Sequence, residues 1–135
     1  MCYYDEMDSA SFSRRYAPVV LRFGLAGLFL WFGLSQLTAP GEWISWVPAW
    51  VPAIMHADAR MIVLLNGGFE TIGGILLALG IFVRWASLFL GLHLLFIAYE
   101  IGYDAIAIRD LCIAAGCFSS ALYGADEWSL EHTTS

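Results

Sequence analysis

A chain of 135 residues has room for one domain, and this one is 60% hydrophobic with only 13% charged residues and a mean hydropathy of +0.72. That profile excludes an ordinary soluble globular protein. The net charge is -6 and all six basic residues are arginines, so no basic patch exists to neutralise phosphates and a nucleic-acid partner is excluded. Near-continuous apolar runs of about 20 residues match the hydrocarbon thickness of a bilayer. The expected fold is therefore all-α, a four-helix transmembrane bundle with an interfacial or re-entrant segment between its first and second helices.

Residues 1–15 read as a polar N-terminal tail, frayed or interfacial, without a cleavage-site pattern, so no secretory signal peptide is expected. Residues 16–123 hold the four-helix domain. The first apolar helix is expected from about Tyr16 to Leu37, with Pro18 in its first turn, where a missing N–H costs little. Arg22, less than two turns in, is expected to snorkel to the interface. Thr38 to Arg60 is broken by Pro40, Pro48 and Pro52. Its Trp43, Trp46 and Trp50 suit a piece lying in the membrane interface, where indoles are enriched; a lid over an outward pocket is the other reading. The second helix is expected from Met61 to Phe82, a turn at Val83-Arg84, the third from Trp85 to Tyr103, and the fourth from Ala105 to Tyr123. Residues 124–135 form a polar C-terminal tail.

The second helix carries the centre of interest. Asn66, Glu70, Gly73, Gly74 and Leu77 share one face at helical spacing. A carboxylate at that depth costs roughly 3 kcal/mol on insertion scales and must face the bundle interior with a partner, while glycines beside it admit a close neighbouring helix. Arg14, Arg15 and Arg84, with Arg22 nearby, fall on one side of the membrane, Arg60 and Arg109 on the other. The positive-inside rule then puts both termini in the cytoplasm and the Trp-rich segment outside. In that orientation Gln36, Asn66, Glu70, Glu100, Arg109 and Asp110 reach similar depth, and an Arg109–Glu70 or Arg109–Glu100 pair is expected to satisfy the buried acid. His93, Glu100 and Asp104 share a face of the third helix.

Three stretches then resemble the DoxX/DoxD-like family of small four-helix membrane proteins: LRFGLAGLFLWFGLSQL (Leu21 to Leu37), GGFETIGGILLALGIFVRWAS (Gly67 to Ser87), and IRDLCIAAG with GADEWSLE (Ile108 to Glu131). Two positions depart from that family's pattern: Gln36 stands where a Lys is frequent, which removes a cationic partner near Glu70, and Glu131 stands where Asp is usual. The resemblance implies a membrane subunit of a quinone- or thiol-linked redox system, such as a thiosulfate:quinone oxidoreductase, with quinone as its carrier and a partner protein supplying electrons.

Each polar position has two readings. Glu70 and Arg109 are either a structural ion pair or the groups that manage charge beside a quinone head, and are taken as the candidate catalytic residues. Gln36, Asn66, His93, Glu100 and Asp110 are candidate carrier-binding residues, against packing histidine and helix-start roles for His93 and Asp110. His93 has no second histidine at ligand spacing, which argues against haem ligation within one subunit, and no metal site is expected. Cys112 and Cys117 lie roughly 140° apart on a helix and read as packing residues rather than a dithiol pair. The alternatives to a redox subunit are a non-enzymatic scaffold or assembly factor and a small-solute transporter, with a homo-oligomer open in each case.

Overall fold

The computed structural model describes the backbone of residues 2–133 and the side chains of 11–132. Among the described residues there are six α-helices: α1 (Cys2–Thr38), α2 (Trp50–Met55), α3 (Ala59–Leu79), α4 (Val83–Ile101), α5 (Ala105–Tyr123) and α6 (Leu130–Thr133). Four are long and apolar enough to cross a membrane: α1 over Ser11–Thr38, α3, α4 and α5. Helix α1 packs along α3, α4 packs along α5, and the two pairs meet through α3–α4 and α1–α5 contacts. Phe29, Leu77, Val83, Leu90 and Ala114 are buried where the pairs meet. Trp31, Ile72, Phe89 and Leu122 are exposed on the periphery, where lipid takes the place of water.

Helix α1 does not start at Tyr16. It runs unbroken from Cys2 for 37 residues, about 55 Å at helical rise, so its first turns extend beyond a hydrocarbon core of about 30 Å. Pro18 consequently lies inside the helix rather than in its first turn. It cannot donate to the carbonyl four residues back, which belongs to Arg14, and the Tyr123 hydroxyl donates to that oxygen instead (3.5 Å).

The broken segment folds as two 3-10 turns, Pro40–Glu42 and Ile44–Trp46, followed by α2. Trp43 meets the edge of Phe32 on α1. Trp50 meets Phe96 on α4 and donates its indole N–H to Glu100 (2.7 Å). The segment is thereby tied to both helix pairs. Helix α3 stops at Leu79, ahead of the expected Phe82, because Gly80 takes a left-handed conformation (φ 68). Its N–H reaches Leu77 O and that of Ile81 reaches Leu76 O, a Schellman end. Helix α4 then begins at Val83, on a residue expected in the turn.

The C-terminal stretch is polar in composition yet packs on the bundle. Asp126 and Ser129 are buried, and the N–H of Glu131 donates to Gly80 O (3.1 Å) while its carboxylate accepts from Val83 N–H (3.3 Å). Arg22 does not snorkel. Its side chain is 1% exposed and pairs with an equally buried Asp126 (Nε to Oδ2 2.6 Å, Nη2 to Oδ1 3.1 Å). The same guanidinium donates to Leu77 O and Ala78 O, carbonyls in the last turn of α3, where the negative end of the helix dipole favours a cation. One cation thus fastens α1, the end of α3 and the C-terminal stretch together.

Candidate functional site

At the other end of the bundle, glycine spacing sets how closely α1 approaches α3. A Cβ on Gly67 would fall 2.8 Å from Gln36 Cβ and 2.9 Å from Gly33 O, and one on Gly33 would strike Thr71. The two backbones therefore meet here, and Gln36 in the last turn of α1 lies over Glu70 near the midpoint of α3. Gln36 Nε2 donates to Glu70 Oε2 (2.8 Å), and Asn66 Nδ2 donates to Gln36 Oε1 (2.7 Å) and to Glu70 Oε1 (3.2 Å). Asn66 and Glu70 are one helical turn apart, so the three side chains close a triangle across α1 and α3.

The fourth member comes from α4. His93 Nε2 lies 3.5 Å from Glu70 Oε1, with the Glu70 side chain 6% and the His93 side chain 20% exposed. Nε2 is buried and has no hydrogen-bond partner, and the ring is held against Phe69 at 4.9 Å. Thr71 Oγ1, next to Glu70 in the chain, is likewise buried without a partner. Buried polar atoms are normally satisfied, so His93 Nε2 is a free hydrogen-bonding position beside a sequestered carboxyl group.

The structure brings together four of the seven residues singled out from the sequence: Gln36, Asn66, Glu70 and His93. The expected Arg109–Glu70 and Arg109–Glu100 pairs are not formed. Arg109 is half-exposed and donates to its neighbour Asp110, whose side chain is 5% exposed (2.9 Å). Its guanidinium also stacks over Phe32 at 5.3 Å, a favourable cation–π distance. A neighbouring carboxylate on α5 and the aromatic face of Phe32 on α1 satisfy this arginine in place of Glu70 or Glu100. Glu100 is engaged by Trp50, and Asp104 caps α5 through Ile106 N–H (3.1 Å).

Glu70 does without an arginine because amides serve instead. Two hydrogen bonds onto a charged acceptor contribute about 1.5–3 kcal/mol each, enough to offset an insertion cost of roughly 3 kcal/mol. The expectation of a cation for the acid overlooks these neutral donors, although Gln36 and Asn66 are both candidate carrier-binding residues. Thr71 and, at the opposite end, the Arg22–Asp126 pair are not among the candidates; a lone arginine inside an apolar run is the available signal for the latter.

No curated protein and no solved structure matches the chain. A family model described as DoxX matches residues 17–102, from within the membrane-crossing part of α1 to just past the end of α4. That stretch contains Gln36, Asn66, Glu70 and His93, the whole of the polar cluster. The chain is a multi-pass membrane protein, and it belongs to the DoxX family.

Proposed function

We propose that this protein is the membrane subunit of a quinone-linked redox system, of the thiosulfate:quinone oxidoreductase type, and that it binds the polar head of the carrier at Gln36, Asn66, Glu70 and His93. The observation that carries the reading is the unpartnered His93 Nε2, 3.5 Å from the buried Glu70 carboxyl group. A ring carbonyl is an acceptor that a protonated Nε2 would satisfy, and the amides of Gln36 and Asn66 can be shared with a second oxygen. A bound quinone supplies the electron-accepting chemistry, taking up two electrons and two protons. The chain's own residues orient the head group, exclude water, and hold a proton on Glu70 or His93 within reach of it. The electrons come from a partner protein. Arg109 and Asp110 form a separate ion pair and are given no role at the carrier.

A second reading, a helix-binding scaffold, is favoured by one observation. Val20, Gly24, Gly27 and Trp31 fall on one exposed face of α1, and a Cβ on either glycine would meet nothing within 4 Å. Mass spectrometry of the protein purified in mild detergent separates the two. The redox reading expects near-stoichiometric quinone, reduced about tenfold in Glu70→Gln and in His93→Phe. Because Arg109 has its own partner, Glu70→Gln should melt within a few degrees of the parent. Absence of quinone together with a retained stoichiometric protein partner would transfer the assignment to the scaffold.

A further inference from the structure

We propose that the seam between α1 and α5, at the Arg22 end of the bundle, is a binding site for an anionic phospholipid. The phosphate headgroup would lie between Arg14 and Arg84, with an acyl chain along Ala17, Pro18 and Leu21. This site is at the opposite end of the bundle from Glu70 and does not depend on the carrier reading.

The seam holds an open groove of about 420 Å³, with Arg14, Tyr123 and Gly124 at one end and Leu21 and Ser119 further along. From Arg14 to Leu21 is about 10 Å of helix, two turns of mostly apolar wall facing where lipid chains lie. Gly124 joins the two cations. It lines the groove with Arg14, and a Cβ built on it would fall 2.6 Å from Arg84 Nε and 3.0 Å from Nη2, so the Arg84 guanidinium packs directly on that wall.

Charge points to the occupant. Among the described residues, the carboxylates at this end are already engaged: Asp126 by Arg22, Glu127 by Arg15, and Glu131 by Val83 N–H. Arg14 and Arg84 make no ion pair among the described residues, and both are exposed. Two uncommitted guanidiniums at the mouth of an apolar groove, with the Ser119 and Tyr123 hydroxyls close by, match a headgroup with one phosphate negative charge on a hydrocarbon tail. Arginine is suited to phosphate by its planar fork of donors, and basic pockets between membrane helices recognise anionic headgroups in this way.

The test is lipid retention, read by native mass spectrometry and thermal melting of the intact protein in detergent. Phosphatidylglycerol, phosphatidylcholine and inorganic phosphate are each added at the same concentration. The expected result is retention and a raised Tm with phosphatidylglycerol alone, weakened about thirtyfold in Arg14→Gln/Arg84→Gln and unchanged in Arg60→Gln at the opposite end. Leu21→Trp, which fills the groove without altering charge, should also reduce retention, and covers the case in which the double variant folds poorly. The proposal is overturned if phosphatidylcholine is retained equally, if inorganic phosphate gives the same stabilisation, if Arg60→Gln loses as much as the double variant, or if the double and Leu21→Trp variants keep their lipid.

Discussion

An arginine inside an apolar helix must reach water or find an anion, and Arg22 takes the second course, with Asp126 completely enclosed beside it. Such a pair contributes little net stability over well-packed apolar groups, but breaking it on one side leaves a buried charge that costs about 3–5 kcal/mol. Asp126→Ala should therefore destabilise the protein by about that amount, measured by unfolding in mixed detergent. Arg22→Met/Asp126→Asn removes the stranded charge and keeps an acceptor for Trp128 N–H, so it should lose less than Asp126→Ala alone. An equal or greater loss in the double variant would remove the stranded charge as the cause. This pairing was not legible in the sequence, because its partners are 104 residues apart and no helical period connects them. Glu70 is the contrasting case. The Asn66–Glu70 relation is a one-turn spacing and could be read directly, and Gln36 and His93 were recognised as polar intrusions in apolar runs. Which donor meets which acceptor depends on how each helix is rotated, which the sequence does not specify: an Arg109–Glu70 pair is expected, yet a sequence neighbour, Asp110, is nearer.

Glycine on α3 has opposite meanings at adjacent positions. Gly67 faces α1, where a methyl group would press on Gln36 Cβ and Gly33 O, whereas one on Gly68 would meet nothing. Gly67→Ala should force α1 away from α3 and cost about 1–3 kcal/mol, as overpacking does. It should also lift the Gln36 amide from Glu70 and, on the proposed carrier assignment, reduce quinone retention. Gly68→Ala should be neutral or stabilising by up to about 1 kcal/mol, the difference in helix propensity. Thermal melts of the pair make a matched test, and a Gly68→Ala variant that is the weaker of the two would contradict the packing described. The long elements were legible because apolar length alone identifies a span: α5 lies where the sequence placed it, and α3 and α4 are displaced by two or three residues. The missed boundaries have local causes. Gly80 enters the left-handed region and ends α3 early, and α1 continues through Pro18 because Tyr123 serves the carbonyl that the proline leaves without a helical donor.

At the scale of the whole molecule, an even number of crossings requires both ends of the chain to lie on one side, and the Arg15–Glu127 and Arg22–Asp126 pairs join the two ends directly. Arg14, Arg15 and Arg84 lie at that end, and Arg60 and Arg109 at the other; by the positive-inside rule the Arg22 end is expected in the cytoplasm and the Trp-rich segment outside, and cysteine labelling tests that expectation. In a background lacking Cys2 and Cys112, a membrane-impermeant maleimide should label His56→Cys in intact cells and His132→Cys only after lysis; both positions are exposed. The expected orientation also puts the Glu70 cluster in the outer half of the bilayer, beneath the Trp43 and Trp50 anchors, and the Arg14–Arg84 groove in the cytoplasmic leaflet, whose surface potential is negative. Labelling in the reverse order would mean that three flanking arginines had been carried across the membrane while two remained behind, against the charge rule. It would also put the groove opposite the outer leaflet and the Glu70 cluster in the cytoplasmic half of the bilayer.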